Sequence, residues 1–138
     1  MQIEIENRSK IITTEIEYIF LQLNNILNLE IESLILHILS DDELLKINQQ
    51  FLNHDYYTDI LTFDLRDDDS SDVEIFISIE RVTENAQNLN ISRMEELYRV
   101  CIHGMLHLSG MDDKTSDQKI KMRELETKYL NELFHVKP

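Results

Sequence analysis

Two histidines and a nearby acid are the residues of this sequence whose types and spacing best suit metal chemistry. His103 and His107 are four residues apart, so a helix would present both imidazoles on one face, close enough to share one ion. Gly110 can take a left-handed conformation and end that helix, which would bring Asp113 back towards the same point. Two imidazoles and one carboxylate leave the fourth position of tetrahedral zinc open to water, as in catalytic rather than structural zinc sites.

The residue after the first histidine argues against peptide hydrolysis. Extended metzincin proteases share this spacing of two histidines, a glycine and a third ligand, and their general base is a glutamate directly after the first histidine. Gly104 occupies that position here. The sequence therefore predicts a hydrolytic metal site that lacks the base of a peptidase. Proton transfer must rely on water, on the substrate or on a nearby carboxylate such as Asp59 or Asp112, and the sequence does not choose among these.

The stretch 103–113 resembles the signature of the YbeY family, the bacterial rRNA maturation endoribonucleases, which reads H-G-x-L-H-L-x-G-x-D-H. The residues that agree with this signature are His103, Gly104, Leu106, His107, Leu108, Gly110 and Asp112. A second family block, approximately L-N-x-x-Y-R-x-x-D-x-P-T-D-V-L-S-F, resembles residues 47–63. Both blocks stand in the family's order and at a plausible separation, so the resemblance extends over most of the chain.

The resemblance implies a metal-dependent endoribonuclease that cuts single-stranded RNA, matures the 3′ end of 16S rRNA and takes part in ribosome quality control. One zinc ion per chain, or another divalent metal, would be held by His103, His107 and Asp113. Its partners would be rRNA or other single-stranded RNA, and the small ribosomal subunit with its associated proteins. Two alternatives stay open: a zincin-like metallohydrolase or peptidase, and a non-catalytic ribosome assembly factor with a structural metal.

The sequence departs from the family pattern at three positions. Asp113 replaces the third histidine and is the predicted ligand there, whereas Asp112 matches the family aspartate and suits a role in fixing the loop or supporting the ligands. Leu52 stands where the family has an arginine implicated in activity, and Tyr57 stands where it has proline. Since leucine cannot stabilise a phosphorane, positive charge must come from elsewhere or the reaction must be slower.

Arg99 is a candidate source of that positive charge. It precedes His103 by one helical turn on the same side of the predicted helix, where a guanidinium could hold a phosphate through two parallel hydrogen bonds. A surface salt bridge with Glu95 or Glu96 explains the same residue equally well. We therefore take Asp59, Arg99 and Asp112 as the candidate catalytic residues.

Composition predicts one domain over residues 1–138, cytoplasmic and not membrane-bound. We expect a monomer or a weak oligomer, although composition does not decide the oligomeric state. The chain has one cysteine, Cys101, no apolar run approaching 18 residues and no leader-like segment. All of its net charge of −14 falls in residues 1–92, with five Lys/Arg and nineteen Asp/Glu; residues 93–138 hold eight of each. Solubility is the simplest explanation of this charge, but it also implies weak affinity for free RNA without a metal or partner.

Hydrophobic periodicity predicts the order β-α-β-α-β-β-α-α-α. Ser40 with Glu43, and Ser92 with Glu95, predict the first residues of two helices, the second of which carries the metal motif. The segments 60–65 and 73–79 predict an antiparallel hairpin around an acidic turn. The expected helix from Ser9 buries a face listed as Ile12, Ile16, Ile19, Phe20, Leu23, Ile26 and Leu27. The predicted fold is an α+β single domain: a small mixed β-sheet covered by helices, with a zincin-like metal helix.

Overall fold

Within residues 1–7 and 9–134, four strands and five helices follow one another in the order that the periodicity predicts. The structure is a computed structural model, and it describes residues 1–7 and 9–134. The last four residues of the predicted domain, 135–138, lie outside the described residues. The elements are β1 (Gln2–Asn7), α1 (Thr14–Ile26), β2 (Ser33–Leu39), α2 (Asp41–Leu52), β3 (Ile60–Asp64), β4 (Asp72–Ser78), α3 (Ile79–Leu89), α4 (Arg93–Leu108) and α5 (Ser116–Phe134).

The strands form one mixed sheet in the order β1-β2-β4-β3. β1 and β4 both run parallel to β2, while β3 runs antiparallel to β4, with Ile60 opposite Ile77. The predicted hairpin is therefore confirmed. Parallel strands need a crossover connection. α1 connects β1 to β2, and α2 together with β3 connects β2 to β4. The α+β fold class and the mixed sheet are confirmed as well.

The core lies between the inner face of the sheet and helices α1 and α4. Its largest fully buried side chains include Phe20, Leu36, Ile75, Leu97 and Ile102. Every second residue of β2 and β4 is buried, as expected for strands with one covered face. α4 thus packs in the centre of the domain, with only part of its surface open to solvent.

Two residues that were expected on the buried face of the first helix, Ile12 and Ile26, are exposed instead. Ile12 is 71% exposed because α1 begins at Thr14, after a stretch in which Lys10 has φ +60°, so Ile12 precedes the helix that was expected to bury it. Ile26 stands in the last turn of α1 and is also exposed. Periodicity identified the correct helices but overestimated how far along them burial extends.

Both predicted helix caps are confirmed. The Ser40 Oγ accepts from the Glu43 N–H, and the Glu43 carboxylate accepts from the Ser40 N–H, each at 3.2 Å, which closes a capping box at α2. The Ser92 Oγ accepts from the Glu95 N–H at 3.1 Å at the start of α4. Among the described residues, each helix is too short or too polar to span a bilayer.

Arg66 fastens the C-terminal end of α4 to the rest of the domain. Its Nη2 donates to the Leu108 carbonyl at 2.7 Å and its Nη1 to the Leu29 carbonyl at 2.9 Å. Asp64 holds the guanidinium through Nε and Nη2, both at 2.8 Å. These hydrogen bonds hold the pKa of Asp64 below its usual value. The stabilisation is therefore present above the ordinary pKa of that carboxyl and is lost as the pH falls through the lowered value.

Replacing Arg66 by glutamine removes these bonds, and we expect the free energy of unfolding in urea to fall by about 1–3 kcal/mol. Hydrogen bonds to a charged donor are worth about 1.5–3 kcal/mol, while solvent screens the half-exposed Asp64 partner. The matched control is Arg93→Gln, because Arg93 is exposed and makes no hydrogen bond or ion pair within the described residues. Equal stability of the two variants would contradict the role given to Arg66.

Candidate metal centre

The turn after α4 has the left-handed geometry expected at Gly110. This glycine has φ +99°, its N–H donates to the His107 carbonyl at 2.9 Å, and the Met111 N–H donates to the Leu106 carbonyl at 3.1 Å. These two bonds together form a Schellman motif, which ends the helix and reverses the direction of the chain. Because of this reversal, Asp113 lies beside the histidine face of α4 rather than beyond its end.

The three predicted ligands converge on one point. The Nε2 atoms of His103 and His107 are 2.9 Å apart. The Asp113 carboxylate lies 3.2 Å from the His103 Nε2 through Oδ2 and 3.5 Å from the His107 Nε2 through Oδ1. Tetrahedral zinc with bonds of about 2.0–2.2 Å separates its ligand atoms by about 3.3–3.6 Å, so only small shifts would be needed around an ion. The three residues can therefore hold a metal ion.

The outer nitrogen of each imidazole has a fixed acceptor. The His103 Nδ1 donates to Glu126 Oε2 and the His107 Nδ1 donates to the Met111 carbonyl, both at 2.8 Å. Carboxylates and carbonyls only accept, so the ring hydrogen must be on Nδ1 in both residues. In the neutral rings each Nε2 then presents a lone pair to the shared point, which is the tautomer that a metal requires.

Glu126 is a functional residue that the sequence reasoning missed. It lies on α5, is 6% exposed, and supports His103 from behind. A signal existed: Glu126 stands four residues after Met122 and four before Leu130, both of which are buried, so it occupies the apolar face of its own helix. A carboxylate on such a face normally needs a partner.

The site carries an excess of negative charge. Burial of the His103 ring opposes protonation, but the hydrogen bond and charge of Glu126, with the charges of Asp113 and Asp59, outweigh it and raise the His103 pKa. Burial raises the pKa of Asp59, while the nearby His103 partly offsets this effect. Groups that favour a proton at this point would also favour a metal cation.

Two of the three candidate catalytic residues, Asp59 and Arg99, lie in the pocket beside the predicted ligands, whereas Asp112 does not. Asp59 and Arg99 line the same pocket as His103 and Asp113, a cleft of about 220 Å³. Arg99 is already engaged there, with its Nε 3.4 Å from Glu95 Oε2 and its Nη1 donating to Thr127 Oγ1 at 3.0 Å. Asp112 is exposed and does not line this pocket.

Gly104 is needed because α4 crosses β3 closely. A Cβ built on Gly104 would be 2.8 Å from the Ile60 Cδ1 and 3.2 Å from the Thr62 Cγ2. Only glycine fits without a shift of these side chains, and a glutamate would have to direct its carboxylate into the apolar contact between helix and strand. The position that carries the base in peptidases is therefore a packing position in this chain.

We expect Gly104→Glu to lower the free energy of unfolding by more than about 2 kcal/mol without creating peptidase activity, because it overfills the contact and buries a charge. Urea unfolding and casein digestion by the metal-loaded variant measure the two effects. Gly104→Ala is the control: its methyl meets only side-chain ends and gains about 1 kcal/mol of helix propensity, so we expect a change within about 1 kcal/mol. A stable, casein-cleaving Gly104→Glu variant would contradict this account.

The fold and the site define the class of protein: a small α+β domain whose two histidines and one aspartate could hold a single metal ion, with a ligand set like that of a hydrolase. The family model described as Endoribonuclease YbeY matches residues 1–134. The chain therefore belongs to the YbeY family, and the resemblance in its two sequence blocks is confirmed.

Individual relatives agree with this assignment. The chain is similar to proteins named Endoribonuclease YbeY from Flavobacterium psychrophilum, with 50% identity over 97 residues, and from Porphyromonas gingivalis, with 46% identity over 95 residues. These alignments cover 70% and 68% of this chain, and 69% and 63% of the respective relatives. The solution structure of TM1509 from Thermotoga maritima matches 97% of this chain and 90% of its own, with 34% identity and a TM-score of 0.65.

Proposed function

We propose that this protein is a metal-dependent endoribonuclease that cuts single-stranded RNA during rRNA maturation, including the 3′ end of 16S rRNA. The observation that carries the proposal is the convergence of two imidazoles and one carboxylate beside an open pocket of about 220 Å³. Membership of the YbeY family supplies the substrate class. Zinc as the metal, the small ribosomal subunit as partner and a cytoplasmic location belong to the same proposal.

In this proposal, some residues of the site would bind the ion and others would contact the substrate. His103, His107 and Asp113 would hold the ion, which when bound lowers the pKa of a water molecule towards about 7 and polarises a phosphoryl oxygen. Glu126 and the Met111 carbonyl hold both imidazoles in the orientation in which each Nε2 could bind an ion. These supports pre-organise the ligands, so little reorganisation is needed during the reaction.

Asp59 is the better of the two candidate proton acceptors. It lines the pocket beside His103, whereas Asp112 is exposed to solvent and does not. Because burial raises the pKa of Asp59, this carboxylate binds a proton more readily than an exposed aspartate, which suits a general base. Arg99 would contact a phosphate from the same pocket, although Glu95 and Thr127 already accept hydrogen bonds from two of its guanidinium nitrogens.

Neither alternative has an observation in its favour. A peptidase would need a base at Gly104, where the contact with β3 leaves no space for one. A purely structural zinc site is normally closed by four protein ligands, whereas three ligands converge here beside an open pocket. An enzyme is therefore the better reading of this site.

His107→Ala should abolish both metal binding and RNA cleavage, because only two ligands would remain. Elemental analysis of the purified protein and digestion of a labelled single-stranded RNA measure the two effects. His54→Ala is the matched control, since His54 is an exposed loop histidine that contacts Tyr56 and not the site. Full cleavage by a metal-free His107→Ala protein would refute the proposed mechanism.

Glu126→Gln should weaken metal binding by roughly 10–100-fold while leaving the ligand set intact, because loss of a supporting carboxylate reduces the basicity and fixation of His103. Competition with a chromogenic chelator measures the affinity, and excess metal should restore part of the cleavage. Glu124→Gln removes the same charge from an exposed position on α5 and serves as the control. If both variants bind the metal equally well, Glu126 does not support the site.

A further inference from the structure

The wall of the metal pocket formed by α5 carries two basic side chains that the mechanism above does not use. Lys119 and Arg123 line the same pocket as His103 and Asp113. They are four residues apart on one helix, so they lie on the same side, one turn from each other. Lys119 is exposed, and its side chain makes no hydrogen bond or ion pair within the described residues.

Within the described residues, the Arg123 guanidinium contacts acidic side chains through Nη1 alone. Its Nη1 lies 3.2 Å from Glu126 Oε1 and 3.7 Å from Glu96 Oε1, and both glutamates are buried. Its Nε and Nη2 have no partner within the part of the chain that the structure describes, and the side chain is 45% exposed. These two nitrogens form the edge of a guanidinium that can donate two parallel hydrogen bonds to one phosphate.

Glu126 connects this arginine to the metal site. One of its oxygens accepts from the His103 Nδ1 at 2.8 Å, while the other lies 3.2 Å from Arg123 Nη1. The guanidinium is therefore separated from a metal ligand by a single carboxylate. A phosphate bound at its free edge would be close to, but distinct from, a phosphodiester at the metal.

Arg99, the other arginine of the pocket, is less available. Its side chain is 12% exposed, and Glu95 and Thr127 already engage Nε and Nη1. The net charge of −14 makes local cations necessary if a polyanion is to approach this protein at all. Lys119 and Arg123 are the more exposed of the Lys and Arg side chains that line this pocket.

We propose that Lys119 and Arg123 each bind a backbone phosphate of the RNA strand, flanking the phosphodiester that is cleaved. This inference rests on the proposed function and deepens it by assigning the strand to the α5 side of the site. Contacts of this kind position a strand without reading its bases, so recognition by α5 should be independent of sequence. The path of the RNA is then set by the same helix that supports His103.

The salt dependence of RNA affinity tests this assignment. The metal-loaded protein is titrated with a fluorescein-labelled 12-residue oligouridine at several salt concentrations, fluorescence anisotropy gives the affinity, and a gel verifies that the probe is intact. Each phosphate contact on a single strand contributes about 0.7 to the slope of log affinity against log salt. We expect Lys119→Gln and Arg123→Gln each to reduce the slope by about that amount, and Arg123→Gln to weaken binding on the order of tenfold.

Lys121→Gln is the matched control, because it removes the same charge from an exposed position on α5 that does not line the pocket. We expect it to leave the slope unchanged. Arg123→Gln leaves two buried glutamates without their cation, so its folding is checked by thermal melting. If it does not fold, Arg123→Lys replaces it: the retained charge should preserve the slope, while loss of the two-donor edge should weaken binding several-fold.

Unchanged slopes in the Lys119 and Arg123 variants, or an equal loss in Lys121→Gln, would overturn the assignment. Cleavage is measured in parallel. If the protein binds RNA with the expected slopes but never cuts it, the proposed function fails and the phosphate sites stand. If it cuts RNA while the slopes are unaffected, the phosphate sites fail and the proposed function stands.

Discussion

The arrangement of His103 and His107 is electrostatically unfavourable unless a cation lies between them. Their Nδ1 atoms are committed as donors to Glu126 and to the Met111 carbonyl, so two lone pairs face one another across 2.9 Å. The Asp113 carboxylate adds a negative charge to the same point. A proton on one Nε2 would relieve part of the repulsion, and a divalent metal would relieve more of it.

The rest of the structure keeps these groups from moving apart. The Schellman motif at Gly110 provides both the chain reversal that returns Asp113 and the carbonyl that accepts from His107. Close packing of Gly104 on β3 fixes the depth of α4 in the core, and Arg66 fastens the end of that helix. Contacts made elsewhere along α4 thus hold the three ligand groups together against their mutual repulsion, as in a pre-organised site.

α5 connects the metal centre to the proposed path of the substrate. Its buried Glu126 supports a metal ligand with one oxygen and Arg123 with the other, so ligand geometry and the basic wall depend on the same carboxylate. In a chain as acidic as this one, exposed cations beside the metal site would offer an RNA strand a local binding surface. It would also explain how the site can work with leucine at position 52, away from this pocket.

Local patterns in the sequence were sufficient for the order of elements, both helix caps, the hairpin and the grouping of His103, His107 and Asp113. Each of these depends on residues a few positions apart, where helical geometry or turn chemistry decides the outcome. Glu126 and Arg66 could not be assigned in this way, because their partners lie 23 and 42 residues away. The exposure of Ile12 and Ile26 was missed for a related reason: periodicity identifies the apolar face of a helix but not how far along the helix other elements cover that face.

X-ray absorption spectroscopy of the zinc-loaded protein tests the central claim most directly, since it reports the atoms bound to the ion. The account predicts one zinc per chain with two imidazole nitrogens and oxygen ligands at about 2.0–2.2 Å, and no sulfur. A sulfur shell at about 2.3 Å, scattering from a single imidazole, or failure of the protein to retain zinc would contradict it.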